Sequence, residues 1–171
     1  MITLDQTGAM RLWELIDSGL VDGKAAVLWA DAQIADHSGL APAWLVEIAL
    51  AKHAPAMLAE LRAFAYGSHQ QPDYRMLESY HVGCLFERYT RGELSWASFL
   101  RLAGENADSR DLGVPCEYFY EMLNEIEELE FSLEGETRQR VLVRQRFGEM
   151  IGMVQRDYLQ FRKLRYGKPL A

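Results

Sequence analysis

The residues from Thr137 to Tyr166 read TRQRVLVRQRFGEMIGMVQRDYLQFRKLRY, and this stretch decides the fold class. Apolar side chains recur along it at intervals of three and four residues, at Val143, Phe147, Met150, Val154, Tyr158 and Phe161. This spacing places them on one face of an α-helix. We therefore predict a long amphipathic helix over 137–166, with one face in a hydrophobic core.

The charge of the chain reverses where this helix begins. From Pro115 to Glu136 there are eight glutamates and no Lys or Arg. From Thr137 to Ala171 there are nine Lys or Arg residues, opposed only by Glu149 and Asp157. Two neighbouring helices of opposite charge can attract each other, or each can present its charged face to a partner. The sequence leaves both arrangements open.

The rest of the chain is also helical in pattern, because apolar residues keep the same spacing and no long alternating run interrupts it. Gly104–Val114 is predicted as a polar loop, and Gly135 as the break before the last helix. We predict an all-α fold, a single-domain helical bundle or short helical solenoid of about eight helices. The other predicted helix ends, caps and starts are Thr3, Gly19, Asp22, Pro42, Pro55, Asp73, Gly92 and Ser95, with Thr3 and Gln6 as a capping box at the start of the first helix.

Some of these positions recur at an offset of 73 residues. The aligned pairs are Gly19 with Gly92, Asp22 with Ser95, and Pro42 with Pro115. We interpret them as two weakly repeated helical units followed by the long C-terminal helix. The predicted organisation is one all-helical domain over 1–171, with sub-units 1–66 and 73–134, a linker before residue 73, and the last helix over 137–166.

Composition narrows the class of protein. The chain has 171 residues, of which 49% are hydrophobic and 25% charged, as in ordinary folded soluble proteins. A net charge of −7 argues against a general nucleic-acid binder, which needs excess Lys and Arg. Cys84 and Cys116 form no Cys-x-x-Cys pair and are interpreted as buried thiols in a reducing compartment. With no signal peptide and no membrane-spanning run in the sequence, we expect a cytoplasmic protein.

The leading candidate site is the acidic helix that follows Pro115. Its glutamates recur about one turn apart, a row of like charges that is unfavourable in an isolated helix. Two tyrosines lie beside the row, and tyrosine is enriched in protein interfaces. We expect a non-enzymatic protein-binding module that presents this surface to a basic protein partner. The predicted partner-binding residues are Glu117, Tyr118, Tyr120, Glu121, Glu125 and Glu128.

Small acidic helical proteins of this kind include bacterial immunity proteins, which neutralise nuclease toxins by covering a basic active-site cleft. The chain resembles them in size, acidity and helical content, without any motif that identifies a family. This likeness of class and composition makes an immunity-type protein one example of the expected module, and an adaptor protein is another; in both, the expected partner is basic. The oligomeric state is left open.

A metalloprotein or enzyme is the first alternative. Glu78 and His81 form a Glu-x-x-His pair, and Cys84 lies one turn further on. Ferritin-like bundles use two such motifs and two further glutamates, whereas this chain has one motif. We therefore predict no catalytic residue, no metal ligand and no cofactor.

The basic last helix gives the second alternative, nucleic-acid binding through Arg138, Arg144, Arg156 and Lys163. The acidic helix would compete for these cations, so nucleic acid is not the expected partner. Gly148 and Gly152 on the same helix form a pair of small residues one turn apart. This pair predicts the close approach of a neighbouring helix.

Overall fold

The computed structural model describes residues 1–66, 73–110 and 113–165, without the side chains of residues 66 and 163–165. These residues form eight α-helices and no β-strand, which confirms the all-α prediction. None of the described helices is long and apolar enough to cross a bilayer. The helices are α1 (Gln6–Asp17), α2 (Gly23–Asp36), α3 (Ala43–Leu50), α4 (Ala54–Tyr66), α5 (Tyr74–Thr90), α6 (Trp96–Arg110), α7 (Glu117–Glu128) and α8 (Leu133–Arg165). Most of the predicted linker and the predicted end of the last helix lie outside the described residues.

The chain divides into two compact units. Unit 1 lies within Met1–Pro72 and Gln155–Ala171, and so contains α1 to α4 and the C-terminal part of α8. Unit 2 lies within Asp73–Val154 and contains α5 to α7 and the N-terminal part of α8. The sequence analysis predicted a last helix separate from both sub-units. In the structure, each unit includes part of this helix.

Both units open with the same arrangement of helix ends and caps. Gly19 and Gly92 follow α1 and α5, and each has a φ of 73°, in the left-handed region that favours glycine. Asp22 and Ser95 then accept backbone N–H groups at 2.8 and 3.2 Å, which caps α2 and α6. The ends of α1 and α5, and the starts of α2 and α6, are separated by the same 73 residues. The prediction that Thr3 caps α1 was wrong, because the carboxylate of Asp5 accepts the N–H of Gly8 at 2.8 Å.

α6 continues through much of the segment 104–114, so the loop prediction was wrong for residues 104–110. Small buried side chains explain the difference, since Ala103 and Ala107 extend the apolar face of the helix. Gly104 is also buried, and a Cβ there would meet the ring of Tyr120 at 2.7 Å. These small residues pack closely although their sequence pattern is weakly apolar.

The break between α7 and α8 lies at residues 129–132, and the prediction that it lies at Gly135 was wrong. The hydroxyl of Ser132 accepts the N–H of Gly135 at 3.2 Å and caps α8. A Cβ on Gly135 would meet the side chain of Ile126 at 2.8 Å. Gly135 is therefore needed for close packing in the first turn of α8.

Helices α5 and α8 approach each other closely at Gly83 of α5. A Cβ there would lie 3.0 Å from the side chain of Val154 and 3.2 Å from the carbonyl oxygen of Met150. The sequence placed such an approach at Gly148 and Gly152. Gly148 is exposed, and no described atom of another helix lies within 4 Å of the position its Cβ would take, so the prediction was wrong there.

The core of unit 2 fixes the orientation of α7. Phe119, Met122 and Ile126 form its buried face. The ring of Phe119 lies 6.3 Å from that of Phe99 on α6 and 5.9 Å from that of Phe147 on α8, measured between ring centres. Because these contacts hold α7 against both neighbours, the opposite face of the helix is turned outward.

Candidate functional site

The outward side of α7 carries the predicted row of glutamates, which we call the acidic face: Glu117, Glu121, Glu125 and Glu128. Glu117, Glu121 and Glu128 are exposed, and Glu125 is half-buried. Within the described part of the chain, Glu121 and Glu128 make no ion pair. Three of the four carboxylates are therefore open to solvent.

Glu125 belongs instead to a polar network at the seam of α6, α7 and α8. One of its oxygens pairs with Arg138, and the other accepts the side-chain amide of Gln139 at 2.9 Å. Gln139 is fully buried and also donates to the carbonyl of Met122 at 2.9 Å. It accepts the indole N–H of Trp96 at 2.8 Å. The network fixes the side of α7 that adjoins α8.

Three other arginines of α8 lie over aromatic rings of unit 2. The distances from guanidinium carbon to ring centre are 5.5 Å for Arg140 over Tyr89, 5.5 Å for Arg144 over Phe86, and 4.2 Å for Arg146 over Tyr118. Such cation–π contacts are favourable for the flat guanidinium group. Among the described residues these three arginines form no ion pair with the acidic face, so the row of glutamates on α7 keeps most of its charge.

The two predicted tyrosines flank the acidic face on different sides. Tyr118 is half-buried beneath Arg146, and burial raises the pKa of its hydroxyl while Arg146 opposes the shift. Tyr120 is half-buried against Gly104 of α6. Burial raises the pKa of its hydroxyl, and the nearby Asp108 carboxylate raises this pKa further. The structure therefore places one tyrosine toward α8 and the other toward α6, and they do not form a single patch.

The turn between α7 and α8 adds apolar side chains that were not predicted as part of the site. Leu129, Phe131 and Leu133, which we call the apolar turn, are 41%, 57% and 75% exposed. Glu130 and Phe131 have φ angles of 51° and 56°, a conformation that costs roughly 1–2 kcal/mol for each non-glycine residue. The sequence signal was three large apolar residues in a segment where turns usually carry Gly, Asn, Asp or Ser.

Glu78 and His81 of the metal alternative are both buried on α5. The Glu78 carboxylate accepts the N–H of Val114 at 3.0 Å, which ties the segment before α7 to α5. His81 is 6% exposed, and Cys84 is a buried free thiol on the same helix, as predicted. Cys116, which was also predicted to be buried, is only half-buried. The structure thus gives Glu78 a main-chain partner, and metal binding stays a hypothesis.

The cations of the nucleic-acid alternative have separate local environments. Arg138 and Arg144 contact a glutamate and an aromatic ring of unit 2, as described above. Arg156 is exposed in unit 1, and the side chain of Lys163 lies outside the described residues. Two of the four cations are therefore already engaged within the fold.

Comparisons of the chain with protein-family models, with curated proteins and with solved structures give no significant match. The function is therefore inferred from the acidic face, the apolar turn and the residues that position them.

Proposed function

We propose that this chain is a non-enzymatic protein-binding module whose acidic face docks a basic segment of a partner protein. The observation that carries the proposal is the exposure of Glu117, Glu121 and Glu128 while arginines of α8 lie over aromatic rings. Carboxylates one turn apart repel each other by a few tenths of a kcal/mol per pair. Lys or Arg side chains of a partner would relieve this repulsion, speed association and favour the correct partner.

The apolar turn supports the proposal that a partner binds at the acidic face. Charged rims give specificity and association rate, whereas buried apolar and aromatic anchors supply most of the affinity. Phe131 is exposed and holds a strained backbone conformation, which is unfavourable for the isolated chain. A partner that covers Phe131 would bury this apolar surface. The expected partner segment is therefore basic, with at least one apolar side chain between its cations.

Both roles expected from the sequence use such a surface. An immunity-type protein would cover a basic cleft of a toxin, and an adaptor would hold a basic segment of another protein. The charges of the acidic face favour a basic protein in either case. We propose no catalytic residue and no cofactor for this function.

The test is affinity capture from the source cell with matched charge variants. Glu121→Lys/Glu128→Lys reverses two exposed charges of the acidic face without altering the Glu125 network. Glu47→Lys/Glu60→Lys is the control, because it makes the same change at exposed glutamates of unit 1. We expect wild type and control to capture the same basic protein, and the Glu121/Glu128 variant to retain at most about a tenth of it.

Two further measurements sharpen the result. Phe131→Gly should also weaken capture if the apolar turn contributes an anchor, and higher ionic strength should weaken wild-type capture because exposed charges are screened. Circular dichroism and thermal unfolding of each variant establish that it is folded. Equal capture by the Glu121/Glu128 variant and the control would contradict the proposal, as would capture that salt leaves unchanged.

A further inference from the structure

A groove in unit 1 runs between α2 and the C-terminal part of α8. Its volume is about 640 Å³, within the range of about 300–1,000 Å³ that is usual for small-molecule sites. Trp29, Ala32 and Asp36 line it from α2 and share one helical face. Arg156 and Leu159 line it from α8, and the N-terminal residues 1–3 close a third side. No residue of the acidic face or of the apolar turn lines this groove.

The floor of the groove is aromatic and already satisfied in its hydrogen bonding. Trp29 is 1% exposed, and its indole N–H donates to the side-chain oxygen of Gln160 at 3.3 Å. Its ring centre lies 5.7 Å from that of Phe161 and 6.5 Å from that of Trp44. The accessible apolar lining is Leu159, which is 48% exposed, together with the half-buried Ala32. An apolar group could therefore pack against Leu159 and Ala32 while the N–H of Trp29 keeps its partner.

The two helical walls carry opposite charges. Asp36 stands on the α2 wall and Arg156 on the α8 wall, and both side chains are exposed. Within the described part of the chain, neither forms an ion pair, with the other or with a third group. Two opposite charges that line one groove without pairing with each other can each bind one group of a ligand that carries a positive and a negative charge.

We propose that this groove binds a zwitterionic small molecule with an apolar or aromatic side group, the chemical class of the free apolar amino acids. Asp36 receives the ammonium group, Arg156 receives the carboxylate, and the side group packs against Leu159 and Ala32. The assignment follows from charge complementarity at the rim and from the apolar floor. It is independent of the docking surface in unit 2, so either proposal can fail without the other.

Three probes that share one phenyl ring test the assignment. They are L-phenylalanine, phenethylamine, which lacks the carboxylate, and 3-phenylpropionate, which lacks the ammonium group. Each is titrated into the full chain while the NMR methyl signals of Ile2 and Leu159 are followed. We expect L-phenylalanine to bind about tenfold more tightly than either of the others, because each missing charge removes one charge-assisted contact.

Variants of the two exposed charged residues test which wall of the groove binds each charged group of the ligand. Asp36→Asn should remove the advantage of L-phenylalanine over 3-phenylpropionate, and Arg156→Gln should remove its advantage over phenethylamine. Ala32→Trp should fill the groove and abolish the methyl shifts. Ala35→Trp is the matched control, because Ala35 is exposed on the same helix outside the groove lining, and it should leave binding unchanged.

Three outcomes would overturn the assignment. The first is the absence of saturable shifts at Ile2 and Leu159 with L-phenylalanine at millimolar concentration. The second is equal binding of all three probes in wild type and in both charge variants. The third is concentration-dependent self-association that Ala32→Trp abolishes, which would assign the groove to a second copy of the chain.

Discussion

Arginine side chains of α8 contact aromatic rings more often than carboxylates in unit 2. Arg146 lies 4.2 Å from the centre of the Tyr118 ring, whereas Arg138 reaches Glu125 of the acidic face. An exposed ion pair stabilises a protein by only about 0.2–1 kcal/mol. Leaving residues such as Glu121 unpaired therefore costs the fold little, and the acidic charge remains available to a partner.

Gln139 should matter more for stability than the exposed pair beside it. Gln139→Leu leaves the N–H of Trp96 and the carbonyl of Met122 without their buried partner, so we expect a loss of about 2–4 kcal/mol in the free energy of unfolding. Arg138→Gln removes only a surface pair with Glu125 and should cost less than about 1 kcal/mol. Urea denaturation measures both changes. Similar losses in the free energy of unfolding for the two variants would contradict the structural role of the Gln139 hydrogen bonds.

Tyr89 should give the protein a specific alkaline response. Its hydroxyl donates to Glu136, and burial, with the Glu136 carboxylate adding to it, raises the pKa of Tyr89 from 10.0 to about 12. The neutral hydroxyl is favoured in the folded state, so its stabilisation is complete below the unfolded pKa and is lost as pH rises through the folded one.

The difference in unfolding free energy between wild type and Tyr89→Phe should therefore shrink between pH 10 and about 12. Urea denaturation across this window measures the difference. A constant difference would show that Tyr89 is not selectively held in its neutral form. The phenyl ring of the variant preserves most of the packing, so the comparison isolates the hydroxyl group.

At the scale of the helix, boundaries that depend on local chemistry could be predicted from the sequence. Gly92 adopts a positive φ after α5, and Asp22 and Asp73 accept N–H groups of their own first turns. The end of α6 and the role of Gly135 depend on contacts with other helices. Both were predicted wrongly for the same reason. Small buried residues support close packing between helices, but they give only a weak apolar signal in the sequence.

Two glycines of unit 2 should respond to the same substitution in opposite directions. Gly83→Ala places a methyl group against Val154 and the main chain of α8, so it should cost about 1–3 kcal/mol. Gly148→Ala adds a methyl group in open space within a helix and should stabilise by about 0.5–1 kcal/mol. Thermal unfolding of the two variants gives the signs. The same sign for both would contradict the close approach at Gly83.

At the scale of the whole chain, the acidic surface could be predicted only in part from the sequence. The spacing of the glutamates indicated a charged row, and the structure turns three of them outward. The tyrosines could not be placed from spacing alone, because Tyr118 packs toward α8 and Tyr120 toward α6. The distribution of arginines between rings and carboxylates depends on tertiary contacts that no sequence pattern specifies.

A photo-crosslinking amino acid at Asn124 tests the central claim most directly, because Asn124 is exposed on α7 among the glutamates of the acidic face. The control is the same substitution at Gln145, an exposed residue of α8. Irradiation of the source cells should crosslink a basic protein at position 124, with much lower yield at position 145 and with Glu121→Lys/Glu128→Lys. No crosslink at position 124, or an equal yield at both positions, would contradict the docking of a basic partner on the acidic face.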